Sequence, residues 1–207
     1  MRTFIIKARK GTTRWELVRS QIGSRAHFEV IAHAVINAFF ISNGFRDDVE
    51  VYIVLDSSED FPRTIKLSSS AGLSLAGFHE AAVLDVIETA LKDSQGLQKN
   101  TTMDVAPGVQ ISGFGLEKLV GSLLGDDSLE NRPVYLLEPK GEDIRTMLLE
   151  DQPINPVFIL SDHLALPKKS VKGFKRHGLK TISLGKKMLF AAQCVVLLNY
   201  ELDRLLY

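Results

Sequence analysis

Apolar and polar residues alternate along this chain at two spacings, one typical of strands and the other typical of helices. Short apolar stretches predict strands at residues 3–6, 49–55, 63–67, 109–112, 134–137, 156–160 and 180–184. Apolar residues three and four positions apart predict helices at residues 24–43, 76–92, 116–124 and 186–206. The polar stretch 93–107 predicts a loop. Strands that alternate with helices indicate an α/β fold, with a mostly parallel sheet flanked by helices.

The helix predicted at residues 24–43 carries a signal at each end. Ser24 is a suitable N-cap residue, because its hydroxyl can accept a hydrogen bond from a backbone N–H of the first turn. Asn43 and Gly44 form a stop signal, because both tolerate backbone conformations that end a helix. The sequence therefore predicts a helix of about 20 residues between these two signals.

The last three predicted strands are each followed by polar or glycine-containing residues. These segments are residues 140–143, 161–163 and 185–187. In an open parallel sheet, ligands bind beyond the carboxyl ends of the strands. The three segments are therefore predicted to form the pocket.

The last predicted helix is apolar on all sides. Ten of the eleven residues from Met188 to Leu198 are apolar, and the exception is Gln193. A helix of this kind must be covered on every face, and the sheet covers only one. A second copy of the chain is the simplest cover for the other face, so we expect a homodimer.

Composition narrows the class of protein. The chain has 207 residues, of which 45% are hydrophobic and 24% are charged, as in ordinary soluble domains. The single cysteine excludes an intramolecular disulfide and argues against a zinc site. No apolar stretch approaches the roughly 20 residues that span a membrane, and the N-terminal residues lack the pattern of a signal peptide. We expect one domain, residues 1–207, in a cytoplasmic protein without a metal ion.

The charges cancel over the whole chain but not locally. Lys and Arg number 25, as do Asp and Glu, so an overall basic surface for long nucleic acids is not expected. Residues 168–187 nevertheless hold eight Lys or Arg and no acidic residue, and a second basic cluster lies at residues 7–19. Such a run is usually a solvated face. Its position beside the predicted pocket also permits contact with phosphate groups.

Several short motifs are too incomplete to define a reaction. Ser161, Asp162 and His163 are the residue types of a hydrolase triad, but three consecutive residues cannot point at one another. Residues 113–115 lack the third glycine of a dinucleotide fingerprint, and residues 185–187 lack most of a P-loop. The five histidines show no metal-ligand spacing. The residues alone thus indicate an α/β dimer with a pocket, and they leave its reaction open.

An ordered set of segments closely resembles a known enzyme family. The segments are residues 1–8, 38–42, 46–49, 141–143, 155–163, 182–184, 194 and 202–203. In this order they resemble the archaeal tRNA pseudouridine-54 N1-methyltransferases and their bacterial relatives, which are SPOUT methyltransferases. The resemblance covers nearly the whole chain, and residues 155–163 are its longest and most specific part.

The resemblance implies a fold, a cofactor and a partner. The fold has a trefoil knot near the C-terminus, and the last helix supplies much of a homodimer interface. S-adenosylmethionine binds within the knot against three loops. The residues that match the cofactor-binding positions are Leu137, Ser161, Leu184, Gly185, Lys186, Lys187, Met188, Leu189 and Cys194.

The same resemblance implies roles for further residues. Asp48 matches the acidic residue of an Arg-x-Asp motif and is predicted to accept the N1 proton of the pseudouridine. Arg46 of that motif is predicted to hold a phosphate or the base edge. The basic residues of the run 168–187, together with Arg9 and Lys10, are predicted to contact the RNA backbone. A structural role is the alternative for Asp48 and Arg46, as a strand-entry cap and a surface arginine.

Two departures from the family pattern keep other functions open. Ser161 stands where archaeal members commonly have glycine, and residues 109–115 lack a pair of arginines. The leading prediction is methylation of N1 of a pseudouridine in tRNA, and a ribosomal RNA target is the nearest variant. A non-catalytic RNA-binding or assembly dimer and an enzyme acting on a small molecule are the alternatives.

Overall fold

The computed structural model of the protein describes residues 1–58, 60–125 and 132–206. Its strands are β1 (Arg2–Thr12), β2 (Phe40–Ile41), β3 (Gly44–Phe45), β4 (Val49–Ser57), β5 (Arg63–Ser68), β6 (Thr102–Ala106), β7 (Val109–Ser112), β8 (Val134–Asp143), β9 (Val157–Ser161) and β10 (Lys180–Ser183). Its α-helices are α1 (Phe28–Phe39), α2 (Glu80–Asp93), α3 (Leu116–Leu124), α4 (Ile144–Asp151), α5 (Lys168–Arg176) and α6 (Ala191–Asp203). One-turn 3₁₀ segments include Arg204–Leu206, which directly follows α6.

One large sheet organises the described part of the chain. Its strand order is β10-β8-β9-β1-β4-β5-β7-β6. The first five strands in this order are parallel, and the last three join antiparallel. The predicted α/β fold, with a mostly parallel sheet flanked by helices, is confirmed. The antiparallel extension was not predicted.

The central strand β1 is buried on both faces. Phe4 and Ile6 belong to the apolar cluster that includes residues of α1, α2, α4 and α6. Ile5, between them, belongs to the opposite cluster, with residues of α3 and α5. This two-sided burial explains why residues 4–6 of the strand are all apolar rather than alternating with polar residues.

Several predicted element boundaries were wrong, including the start of α2, which is Glu80 rather than residue 76. α1 begins at Phe28 rather than Ser24, and His27 precedes it in a left-handed conformation with φ 50°. The same helix ends at Phe39, because the next residues form the small hairpin of β2 and β3 around Asn43. α6 begins at Ala191 rather than at residue 186, so residues 186–190 are not helical. Gln193 explains part of this start, since its side-chain oxygen accepts a hydrogen bond of 3.0 Å from the Phe190 N–H.

Four elements differ from the sequence prediction or were not predicted at all. β6 lies in the predicted loop 93–107; it is the last strand of the sheet, and none of its residues is fully buried. α4 and α5 were not predicted as helices. β8 is longer than predicted and includes residues 140–143. β10 pairs first with the start of β8 and then, after a register shift, with its end.

Candidate cofactor and substrate site

Three strand ends converge on one pocket. β8, β9 and β10 are parallel, with β8 between the other two, so their carboxyl ends lie at the same edge of the sheet. Ser161 ends β9, Leu184 directly follows β10 and Leu137 lies within β8, and all three line the pocket. The predicted convergence therefore occurs, with one change. At β8 the lining residues are 137–139, which lie within the strand, and the predicted residues 140–143 do not line the pocket.

Eight of the nine residues predicted to hold the cofactor line this pocket. The ninth, Lys186, is exposed and does not line it. The sequence analysis missed four lining residues, which are Glu138, Pro139, Leu160 and Ile182. Leu160 and Ile182 lie within predicted strands, one and two positions before the predicted site residues, so their position along the strands was a usable signal.

The pocket is narrow and partly walled by exposed chain. Its free volume is about 70 Å³, below the few hundred Å³ of typical small-molecule pockets. Gly185 has φ 120°, a conformation that favours glycine, and a Cβ there would meet no atom within 4 Å. Met188, on the same wall, is 78% exposed. The loop after β10 is thus the part of the wall with least packing around it.

A serine hydroxyl ties the loop after β10 to strand β8. The Ser183 Oγ donates to the carbonyl of Pro139, within β8, at 3.3 Å and accepts from the Gly185 N–H at 3.1 Å. The start of the loop after β10 is therefore fixed to β8, while its exposed part is not.

Cys194 contributes a thiol to the pocket wall from the first turn of α6. The side chain is partly buried, and its Sγ lies 4.0 Å from the carbonyl oxygen of Leu189. Burial raises the pKa of the thiol to about 11. The group is therefore a neutral, weakly polar surface at physiological pH rather than a nucleophile.

Asp162 anchors the loop after β9 beside the pocket. Its buried carboxylate accepts hydrogen bonds from the N–H groups of Leu164 at 2.7 Å and Arg9 at 3.2 Å. Burial raises the pKa of this carboxyl group, against the lowering effect of those hydrogen bonds and of the nearby charges of His163 and Arg9. Asp162 therefore joins the pocket loop to β1.

Arg9 and Lys10 lie at the same edge of the sheet as the pocket. Lys7 is paired with Ser161 in the parallel register of β1 and β9, and Arg9 and Lys10 follow it along β1. The Arg9 guanidinium donates to the carbonyl of Ala165 at 3.0 Å, and the residue remains exposed. Both basic residues are thus placed near the strand ends that form the pocket.

Arg46 and Asp48 lie at the opposite edge of the sheet. Asp48 directly precedes β4, whose first residue pairs with Arg2. Its carboxylate accepts from Arg2 Nη2 at 3.0 Å and from Nε at 3.1 Å. The five residue steps from Arg2 to Lys7, which is level with Ser161, span about 17 Å along the strand. Within one chain, therefore, neither residue of the Arg-x-Asp motif is brought to the pocket.

Arg46 is held by a carboxylate at the end of α6. Its two terminal nitrogens bind the two oxygens of Asp203 at 3.0 and 2.6 Å. Arg2 also donates to Asp203, at 2.8 Å. Burial alone would raise the pKa of Asp203, but the hydrogen bonds from Arg46 and Arg2 outweigh it and lower this pKa.

Neither a metal-binding cluster nor a membrane-spanning helix occurs in the described part of the chain. In residues 1–58, 60–125 and 132–206, no group of three or more His, Cys, Asp or Glu side chains is placed to hold a metal ion. Nor does any helix in those ranges combine the length and apolar character needed to cross a membrane.

Comparison with known proteins adds a family to this geometry. A family model described as "Putative SAM-dependent RNA methyltransferase" matches residues 1–206. A protein of Photobacterium profundum, named "Putative pseudouridine methyltransferase", is 44% identical over 203 residues, 98% of each chain. Proteins of the same name from Vibrio atlanticus and Shewanella baltica are 41% and 42% identical over the same shares.

A solved structure has a similar fold. It is the crystal structure of Archaeoglobus fulgidus Nep1 bound to S-adenosylhomocysteine, with a TM-score of 0.61 and 12% identity over 98% of this chain and 97% of that one. These matches confirm the resemblance indicated by the sequence motifs. The family description also names the cofactor that the resemblance implied.

Proposed function

Because the chain belongs to the family of SAM-dependent RNA methyltransferases, we propose that it methylates N1 of a pseudouridine in tRNA. The observation that carries the proposal is the pocket at the ends of β8, β9 and β10, in a chain 44% identical to a protein named as a pseudouridine methyltransferase. The tRNA target and the N1 position come from the resemblance of the sequence motifs.

The pocket residues suit the cofactor by their chemistry. Leu137, Leu160, Leu184 and Leu189 offer apolar walls to a planar base, and Glu138 and Ser161 offer polar groups at the rim. S-adenosylmethionine, when bound, supplies an electrophilic methyl group. The neutral Cys194 thiol adds no competing nucleophile. Because the free volume is small, we expect the exposed wall at Gly185 and Met188 to move outward on binding.

Asp48 is the residue that we propose receives the substrate proton. A pseudouridine is linked to ribose through carbon, so its N1 carries a proton that must leave when N1 takes the methyl group. A carboxylate within hydrogen-bond distance of N1 can accept it. Arg2 holds the Asp48 carboxylate from one side, and the group is 39% exposed, so an oxygen remains open to substrate.

The position of Asp48 supports a homodimeric site. Asp48 lies at the far edge of the sheet from its own pocket, so the pocket of one copy and the Asp48 of another would form one site. The exposed face of α6 and the turn before it supports such a dimer. Its large apolar or aromatic residues are 36–78% exposed and are Met188, Phe190, Val196, Leu197 and Tyr200.

Three basic residues are proposed to hold the RNA. Arg9 and Lys10 would contact its backbone at the edge of the pocket, where both follow Lys7 along β1. Arg46, next to Asp48 in the chain, would hold a phosphate or the base edge. For that role it would exchange part of its pairing with Asp203 for the substrate.

Calorimetry and a methylation assay test the function together. S-adenosylhomocysteine should bind the purified protein, and Gly185→Trp should abolish binding by filling the pocket. With radiolabelled S-adenosylmethionine, label should enter a tRNA stem-loop that contains pseudouridine but not the same stem-loop with uridine. Asp48→Asn should bind cofactor normally and methylate at least ~100-fold more slowly.

The outcomes separate the alternatives. Cofactor binding with label only in ribosomal RNA would replace the tRNA target. RNA binding without cofactor binding at millimolar concentration would favour a non-catalytic RNA-binding dimer. Full methylation by Asp48→Asn would remove Asp48 from the mechanism and leave the rest of the proposal in place.

A further inference from the structure

A groove lies along α5, next to the pocket at the three strand ends. Its volume is about 560 Å³. Most of its lining comes from one face of α5, with Leu166 and Glu138 completing it. The residues that line it are Glu138, Leu166, Lys168, Val171, Lys172, Lys175 and Arg176. Four of these side chains are cationic and one is anionic, so the groove is strongly positive.

Glu138 connects the groove to the pocket. It lines both of them. Its carboxylate pairs with the Lys175 ammonium at 2.5 Å, so one cation of the groove is already neutralised. A molecule lying in the groove would therefore reach the mouth of the pocket at this residue.

The three remaining cations of the groove form an unpaired row. The side chains of Lys168, Lys172 and Arg176 are exposed, and none of them makes a hydrogen bond or an ion pair with another described residue. They are four residues apart on α5, so they share one face, and neighbours are about 6 Å apart along the axis. Phe174, which is 4% exposed, anchors the other face in the core. The row is thus presented by a fixed helix.

The rest of the basic run is less available to a ligand of this groove. Lys180 is bound to both oxygens of Asp151 at 2.7 Å. Lys169 points to a different cavity, between α3 and α5, which it shares with Glu117. Lys186 and Lys187 do not line this groove either, so three of the eight cations between residues 168 and 187 lie in it unpaired.

We propose that this groove binds the phosphate backbone of the RNA substrate and leads the strand to the pocket. The inference rests on the proposed function, because RNA is the polyanion that this family methylates. A regular row of unpaired cations suits the repeated charge of a phosphate backbone, which gives affinity and position without reading the sequence. It narrows the RNA contact predicted for the basic run 168–187 to three side chains of one helix and one groove.

The salt dependence of RNA binding tests the groove. We would measure binding of total bacterial tRNA to the wild type and to Lys168→Gln/Lys172→Gln between about 50 and 200 mM salt, by filter binding. Loss of two contacts should weaken binding and reduce the slope of log K against log salt by about 1.4 for a single strand. Lys92→Gln/Lys99→Gln is the matched control, because both lysines are exposed and lie on or after α2. It should leave the slope unchanged.

A measurement of cofactor binding distinguishes a change in the groove from damage to the pocket. Both double variants should bind S-adenosylhomocysteine as the wild type does. If the groove variant binds RNA with the same affinity and salt slope as the wild type, the groove does not bind the RNA backbone, and the proposed function stands. If the wild type binds neither tRNA nor ribosomal RNA while still binding cofactor, the RNA-binding role of the groove and the RNA substrate of the proposed function are both wrong. Equal losses of RNA affinity in the groove variant and the control variant would also contradict a role for the groove in RNA binding.

Discussion

The guanidinium of Arg2 donates a hydrogen bond of 2.8 Å to the carboxylate of Asp203, 201 residues later in the chain. This contact joins the start of the central strand β1 to the last residue of α6. Arg2 is 6% exposed at its side chain and also pairs with Asp48. A buried guanidinium needs such partners, because an unpaired charge there is costly. The cluster therefore fixes the end of α6 and holds Asp48, the proposed proton acceptor.

Asp203→Asn should destabilise the protein by about 1–2 kcal/mol. The loss is less than the roughly 3–5 kcal/mol of a fully buried pair, because the Asp203 side chain is 36% exposed. Urea unfolding measures the change. Asp85→Asn is the control, since its pair with Arg19 is exposed on both sides, and a change of about 0–1 kcal/mol is expected. Equal changes in the two variants would contradict a structural role for the Arg2–Asp203 contact.

Two paired carboxylates should make stability fall in acid. One is Asp203 of this cluster, and the other is Glu50, which pairs instead with Lys66 and Arg132. Burial raises the pKa values of both groups, but their cationic partners outweigh it and lower both values in the folded state. The unfolded chain then binds these protons more readily than the folded chain. The stabilisation is complete above the unfolded pKa of about 4 and is lost as the pH falls through the lower folded values.

Thermal unfolding between pH 7 and pH 3 measures this effect. The wild type should lose stability steeply below about pH 4, and Asp203→Asn should lose less over the same interval because one of the two groups is gone. Identical pH profiles for the two proteins would exclude a contribution from Asp203.

Cys194 should react slowly with alkylating reagents. Its pKa is raised by burial from 9.0 to about 11, so the reactive thiolate is about 100-fold less populated at pH 8 than in an ordinary cysteine. The reaction rate with iodoacetamide should rise with pH up to a midpoint near 11. Because Cys194 is the only cysteine, all of the alkylation of cysteine that is measured comes from this residue. Bound S-adenosylhomocysteine should slow the reaction further, and no protection would argue against the pocket at Cys194.

Gly141→Ala should destabilise the protein and disturb the pocket. A Cβ at Gly141 would lie 2.5 Å from the carbonyl carbon of Ile182 and 2.6 Å from its nitrogen, so β8 and β10 must separate. Ile182 lines the pocket, so cofactor affinity should fall as well. Gly121→Ala is the control, because nothing lies within 4 Å of its Cβ and alanine favours the helix by about 1 kcal/mol. Stability and cofactor affinity would be measured for both.

The pocket was predictable from the sequence because it lies at the ends of buried parallel strands. Such strands are continuous apolar stretches, and Leu137, Ser161 and Leu184 are read directly as their ends. Glu138 and Pro139 were missed because the continuation of β8 past Leu137 depends on a register shift against β10. No pattern within residues 134–143 encodes that shift.

α5 and β6 escaped prediction for a related reason. α5 has only Val171 and Phe174 as large apolar residues, so its core-facing side is too narrow to show helical periodicity. β6 is an edge strand of five residues in which only Met103 and Val105 are partly buried, so its apolar pattern is too short to stand out within the polar stretch 93–107. The Arg2–Asp203 contact was also out of reach, because it depends on how α6 packs against the start of β1.

Mixed dimers should reveal whether one site uses two copies of the chain. Asp48→Asn and Gly185→Trp are each expected to be inactive, the first by loss of the proton acceptor and the second by loss of the pocket. In a mixed dimer, one site would combine the intact pocket of one copy with the intact Asp48 of the other. Coexpression should therefore restore about a quarter of wild-type activity, since about half of the dimers are mixed and each has one complete site.

The control is a double variant that carries both changes in one chain and is coexpressed with the wild type. Asp48→Asn/Gly185→Trp coexpressed with wild type gives mixed dimers in which each site has one defect, so those dimers should be inactive and only wild-type homodimers should contribute. If Asp48 acts on the pocket of its own chain, the two results exchange: the separate variants stay inactive together, and the mixed dimer with the double variant keeps one active site. The roughly 17 Å along β1 between the two edges of the sheet favours the first result.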